Sequence, residues 1–414
     1  MNSLRCDICG GQIEMQPDKR GLCLNCGTSY SLATMKEMFA GVKVSVTGSN
    51  EDVEQWRQLL DRYYSAGDFI EAERIVKKIL EALPDDAQAF EKYEQLQVMK
   101  YMEIKNGVLT GYSGNSAVLV IPNIVKELAP EVFKNNKYLE EVVLPDGLKT
   151  IPQGLFSGCE RLKIVNISDG VESVGTEAFA GCSNLDEIYM PDSVSRIGCT
   201  AFSGCKSLKK VNLPDGLKII TRNLFAGCSE LKEMCIPPAV ATIEDGAFVG
   251  CQSLEKIDIP CNVKTIGNNA FSYCRSLKKI ALYSGLERIG TGAFDSTALE
   301  EVILPESLEV IGDEAFCNCE FLRHLVIPDS VVTLPKFADK FPWRNCPNLE
   351  NVDFSPRFLP ADKCFLYHFQ GTKFYTKIKE RQSAGHCVYC DGPLNFFHWC
   401  KKCGRYNERN VTYK

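Results

Sequence analysis

The chain has 414 residues, 47 Lys and Arg against 53 Asp and Glu for a net charge of −6, and 21 cysteines. That length predicts several domains with ample core, and no stretch approaches the ~18 consecutive apolar residues of a membrane span, so no membrane partner is expected. The opening MNSLRCDICGG lacks the apolar run of a secretory signal, and so many cysteines in such a chain predict a reducing, cytoplasmic setting with metal ligands rather than bridges.

Residues 1–40 carry Cys6-x2-Cys9 and Cys23-x2-Cys26, 13 residues apart at their closest. Two such knuckles on a short hairpin can present four soft thiolates tetrahedrally to Zn2+. Gly10 and Gly27 follow the second cysteine of each pair, where a tight turn favours a residue without a side chain. The stretch resembles a zinc ribbon. Thiolate fills every position, which implies a closed, structural metal site. Residues 1–48 hold five basic and four acidic side chains, so no basic patch emerges and a folding clip or protein-docking knob is expected.

Residues 51–104 read as helical. Val53, Trp56, Leu59, Leu60 and Tyr63 fall at helical spacing, Gly67-Asp68 breaks the run, and Phe69 to Leu83 forms a second helix ended by Pro84. A third helix is expected over roughly Asp85 to Met102. The spacing of Trp56, Leu59, Tyr63, Gly67, Ala72 and Pro84 resembles a single tetratricopeptide repeat. One repeat makes no extended peptide groove, and its expected role is that of an adaptor covering the first end of a repeat array on its C-terminal side.

Residues 106–371 are that array, dominated by internal repetition. Leu139, Leu162, Leu185, Leu208, Leu231, Leu254 and Leu277 recur every 23 residues, followed by Leu299, Leu322 and Leu349 at 22, 23 and 27. Phe156 to Phe294 keep the same step. Such a period predicts a solenoid in which each unit buries its apolar side against its neighbours. Val211 and Leu213 alternate with Lys210 and Asn212, Pro214 ends that strand, and Asp215-Gly216 turns the chain. One strand per unit is therefore expected to stack into a parallel ladder with an exposed, concave face.

The repeat in Leu254 to Ser276 and Leu299 to Phe321 resembles the BspA-like leucine-rich repeat, over about half of the chain. That resemblance implies a leucine-rich solenoid. Members of the family include surface adhesins, which keeps a cell-surface adhesin as one alternative.

The cysteine column (Cys159, Cys182, Cys205, Cys228, Cys251, Cys274, Cys319, Cys346) is read as small buried packing residues, since Thr297 replaces one and the repeats continue past it. The first outward strand position reads Glu187, Lys210, Glu233, Lys256, Lys279 and Glu301, mostly alternating in charge as cross-strand pairing predicts. The second outward position supplies the protein-binding candidates Tyr189, Asn212, Asp258, Ile303 and Val326. An ordinary solvated surface is the alternative for these positions.

Residues 372–414 form a basic end with nine Lys/Arg and three acids. Cys387, Cys390, Cys400 and Cys403 make a second ribbon-like quartet, the expected ligands of a second structural zinc. Trp399, Lys401, Lys402 and Arg405 interleave aromatic and basic side chains, a pattern that can stack on and neutralise nucleic acid. They can equally supply the small core of a metal-bound module.

No zincin, Walker, Rossmann or serine-elbow motif is present, so no enzyme is expected. The expected fold is a mixed repeat protein: a leucine-rich-repeat solenoid with a parallel strand ladder, preceded by a short all-α segment and flanked by two small zinc ribbons. The expected function is a non-catalytic cytoplasmic interaction scaffold. Its alternatives are a nucleic-acid-associated factor and the adhesin.

Overall fold

In the repeat Leu254–Ser276, Ile257 lies between Lys256 and Asp258, and the two charged residues are exposed while the isoleucine is buried. That alternation is what a half-buried strand requires, and it recurs through the solenoid of the computed structural model. The structure describes residues 13–15, 21–23, 29–30, 50–332, 334, 340–354 and 369–384. They divide into two compact units, Met1–Cys205 and Lys206–Lys414.

The first unit begins with three short antiparallel strands, β1 (Ile13–Met15), β2 (Gly21–Cys23) and β3 (Ser29–Tyr30), with Ile13 opposite Cys23. Three helices come next: α1 (Asn50–Ala66), α2 (Phe69–Ala82) and α3 (Ala87–Met99). Asp68 caps α2 by accepting from Glu71 N at 3.2 Å, and Asp86 caps α3 by accepting from Ala89 N at 2.9 Å. Such caps satisfy amides that have no partner within the helix. Asp86 also binds Arg57 of α1 at 2.5 Å, tying the first helix to the third. Ala72, Ile75, Val76, Ile79 and Leu80 form the buried stripe of α2.

A hairpin of β4 (Met102–Lys105) and β5 (Val108–Tyr112) then starts the solenoid, and β7 (Glu127–Leu128) joins β5 in parallel. Strand pairing thus begins at Met102, inside the stretch expected to be helical.

Each regular repeat contributes two strands rather than the one expected. In the first unit, β6 (Val118–Val120), β8 (Glu141–Val143) and β10 (Ile164–Asn166) pair in parallel and in register. A second ladder joins β9 (Thr150–Ile151), β11 (Ser173–Val174) and β13 (Arg196–Ile197). In the second unit the two-residue ladder has five strands, from Ile219–Ile220 to Val310–Ile311. The longer strands there, of three residues and at the end four, pair as Glu233–Cys235, Lys256–Asp258 and Lys279–Ala281, and again as Glu301–Ile303, His324–Ile327 and Asn351–Phe354. This ladder is interrupted where the period shortens to 22 residues. The missing residue falls between Thr297 and Leu299, in the turn just before the strand.

The turn between the ladders is bonded as well. Phe248 N donates to Ala270 O at 2.7 Å and Gly250 N to Ser272 O at 2.8 Å in the next repeat. All sides of a repeat therefore satisfy their backbone on neighbours, as buried amides demand. The turn needs left-handed residues at two positions: Gly154, Glu177 and Thr200 have φ of 56–60° at the first, and Gly158, Gly181 and Gly204 in the first unit and Gly250 in the second have φ of 73–74° at the other. Asn135, Asn318 and Asn345 take the same conformation, which asparagine tolerates best among residues with a side chain.

Phenylalanine rings stack along the interior. Phe133, Phe156, Phe179 and Phe202 lie 5.3–5.5 Å apart in the first unit. Phe225, Phe248, Phe271, Phe294 and Phe316 lie 5.1–5.5 Å apart in the second. Trp343 occupies the same column in the 27-residue unit, since Phe316 N donates to Pro342 O just before it, and Phe369 stacks on the indole at 5.0 Å. Helix α4 (Lys373–Ser383) closes this end: Phe374 N donates to Leu349 O at 2.7 Å, and Lys373 pairs with Glu350 at 3.0 Å. This helix, at the start of the basic segment, is absent from the sequence-based expectation.

Candidate partner-binding face

The cysteine column has a bonding role beyond filling space. Cys182 and Cys205 donate to Phe156 O and Phe179 O at 3.2 Å, and Cys251 and Cys274 donate to Phe225 O and Phe248 O at 3.2 Å. Each thiol thus bridges to the phenylalanine of the preceding repeat. Thr297 keeps a hydroxyl there, bonded to Phe294 O at 3.0 Å and to Cys319 Sγ at 3.2 Å. Burial pushes the Cys159, Cys205 and Cys251 thiols up to about 12, so these sulfurs stay protonated and inert. They form part of the core.

The outward side chains of the three-residue strands make the open surface. In the first unit, Tyr189 is 57 % exposed on β12 (Glu187–Tyr189), and its hydroxyl donates to Glu187 Oε2 at 3.1 Å. In the second unit, Asn212 and Asp258 are exposed and Ile303 is 57 % exposed, whereas Val326 is only half-buried. Register places Cys235, Asp258 and Ala281 side by side, and Ile303 beside Val326 and Asp353. Cys235 is an exposed thiol in that row.

The expected charge alternation across strands takes a different form. Lys256 turns to Asp258 on its own strand, at 3.1 Å, rather than to Glu233 opposite. Cross-strand pairs appear elsewhere: Lys163 and Arg161 both hold Glu140, Lys149 meets Glu172 at 2.9 Å, and Lys264 meets Glu287 at 3.5 Å. Exposed pairs of this kind contribute only about 0–1 kcal/mol each.

One cluster is not legible in the repeat pattern. His324 Nδ1 lies 2.7 Å from Glu301 Oε1 and its Nε2 lies 2.9 Å from Asp353 Oδ2, spanning three parallel strands. Hydrogen bonding to Asp353, then to Glu301, raises the imidazole above its ordinary value despite partial burial. Both ring nitrogens are engaged by carboxylates, so the group is a cationic clasp rather than a base with a free nitrogen. The signal available in sequence is a histidine aligned with acids one repeat to either side.

Larger apolar exposure lies where the sequence pattern does not direct attention. In the first unit Val118 and Val120 on β6 and Ile164 on β10 are 42 %, 48 % and 45 % exposed, on the two strands that flank β8. A solvated sheet face normally carries polar side chains at such positions.

Among the described residues no three His, Cys, Asp or Glu side chains converge in a metal-like group. Cys6, Cys9, Cys26, Cys387, Cys390, Cys400 and Cys403 lie outside the described residues, as do Trp399, Lys401, Lys402 and Arg405, and only the backbone of Cys23 is placed. No described helix is long and apolar enough to cross a membrane.

No curated protein is detectably similar to the chain. Among solved structures, a leucine-rich repeat protein from Bacteroides ovatus is 25 % identical over 64 % of this chain and 86 % of its own, with a TM-score of 0.38. A leucine rich cell surface protein from Faecalibacterium prausnitzii is 26 % identical over 60 % and 90 %, with a TM-score of 0.35. The pneumococcal vaccine antigen PcpA is 23 % identical over 60 % and 70 %, with a TM-score of 0.44. The BspA type leucine rich repeat region matches residues 103–232 and 241–373, in 6 copies. With its parallel ladders, aromatic column and that repeat-region match over most of its length, the chain belongs to the BspA type leucine-rich repeat family.

Proposed function

We propose that the chain is a non-catalytic interaction scaffold of the cytoplasm, whose protein partner docks on the outward side of the three-residue strands. The observation that carries this reading is the exposure of large apolar side chains, Tyr189 and Ile303 at 57 % each, on strand faces that need not expose them. Each is a large apolar side chain left open within its own unit, and exposed apolar surface of this kind favours association. Structural zinc held by Cys6, Cys9, Cys23 and Cys26, and by Cys387, Cys390, Cys400 and Cys403, belongs to the same proposal. The antiparallel pairing of β1 and β2 between the first two knuckles supports the ribbon at that end. Native mass spectrometry tests it directly: two zinc ions per chain are expected, and a metal-free or iron-bearing protein refutes it.

Pull-down from native lysate, with and without nuclease, tests the scaffold reading. A discrete partner that survives nuclease and is lost in Tyr189→Ala or Ile303→Ser supports it. Nuclease-sensitive recovery lost instead when Lys401, Lys402, Arg405 and Trp399 are replaced assigns the function to nucleic acid. Surface biotinylation of intact cells that labels the protein assigns it to the adhesin class.

A further inference from the structure

The ladder β6–β8–β10 places Val118, Glu141 and Ile164 side by side in one outward row, and Val120, Val143 and Asn166 in the next. Parallel strands lie about 4.8 Å apart, so Glu141 has a branched aliphatic side chain on either flank and Val143 two residues along its own strand. Glu141 is half-buried by this surround. Among the described residues it has no ion-pair partner: the nearby cations Arg161 and Lys163 are both held by Glu140. Glu187, one repeat beyond β10, likewise has no cation and only accepts the Tyr189 hydroxyl.

An unpaired carboxylate ringed by aliphatic groups is complementary to one kind of protein side chain. A lysine or arginine can lay its methylene stem on the valines and isoleucine while its charged head reaches the carboxylate. A purely apolar segment would leave Glu141 desolvated and unpaired, and an acidic one would meet it with like charge. We infer that the β6–β8–β10 face binds a partner-protein segment that presents a lysine or arginine beside an aliphatic or aromatic residue, with Glu141 receiving the cation. This rests on the scaffold reading above and specifies the partner's chemistry.

The test is selection of a random peptide library displayed on phage against the full-length protein, followed by affinity measurement of the selected peptides. Peptides with Lys or Arg adjacent to an aliphatic or aromatic residue are expected. Glu141→Gln, which keeps size and removes charge, should weaken them by about tenfold or more, the scale of one lost charge-assisted contact, and flatten their salt dependence. The double variant Val118→Ser/Ile164→Ser should weaken them as well. Failure to enrich any peptide, enrichment of acidic peptides, or binding indifferent to Glu141→Gln overturns the inference. Indifference to Glu141→Gln combined with loss in Ile303→Ser overturns it while leaving the scaffold reading standing.

Discussion

Replacing Phe248 by alanine removes a ring that is fully buried and stacked on both sides, 5.5 Å from Phe225 and 5.1 Å from Phe271. Buried Phe→Ala changes cost about 3–5 kcal/mol, depending on how far the surroundings collapse. Here collapse is restrained, because Phe225 N and Phe271 N are bonded to Ala247 O and Ala293 O of the following repeats at 2.8 and 2.7 Å. The flanking rings cannot close the gap without breaking those ladders, and two aromatic contacts worth about 0.5–1.5 kcal/mol each are lost with the ring. The expected loss is therefore near the upper end, about 4–5 kcal/mol. It should also be local, since each repeat is supported chiefly by its neighbours. Urea unfolding gives the magnitude, and hydrogen exchange with peptide-level mass spectrometry gives the location. A loss below about 2 kcal/mol, or protection lost no more around Phe225–Phe271 than elsewhere in the second unit, refutes the restrained-column argument.

The His324 clasp predicts a pH dependence. Its native pKa is raised by Asp353 and Glu301, so its stabilisation is complete below the unfolded value of about 6.5 and is lost as pH rises through the raised native value. The stability gap between wild type and His324→Gln should be widest below the unfolded value and narrow as pH rises through the raised native value; a constant gap refutes the ionic clasp. Brief iodoacetamide labelling of the native protein should modify Cys235 and Cys261, which are exposed, and spare the buried Cys182, Cys205, Cys251 and Cys274. Peptide mapping that finds the column labelled contradicts its place in the core. Gly250, with φ of 74°, should tolerate asparagine at about 1 kcal/mol and valine only at a larger cost, because a β-branched residue resists the left-handed region. Equal melting temperatures for the two variants count against that account.

Several features of the fold are readable from residue order alone. Ile257 between Lys256 and Asp258 announces a half-buried strand, and Phe248 and Cys251 announce interior columns by recurring at the period. The second strand of each repeat is not readable in the same way. Thr265–Ile266 is two residues long, too short for alternation to register, and becomes a strand only because Thr242–Ile243 and Arg288–Ile289 lie alongside it. Trp343 is hidden for another reason. The period stretches to 27 residues there, and the Phe316 N–Pro342 O hydrogen bond and the stacking on Phe369 show that the aromatic column continues.

For the candidate site, outward positions along the chain single out Tyr189, Asn212, Asp258, Ile303 and Val326. They do not reveal that Val326 is half-covered, or that Glu141 stands unpaired among aliphatic neighbours. Sequence by itself determined the period, the inward residue of each strand and the interior columns, because these depend on residue type at a fixed spacing. Tertiary structure alone decided which outward side chains stay open and which charges find partners. A side chain's neighbours in a solenoid lie one period away in sequence, and coverage depends on the rotamers and lengths of the groups on both flanking strands. Arg161 and Lys163 both turn to Glu140, which leaves Glu141 without a cation among the described residues.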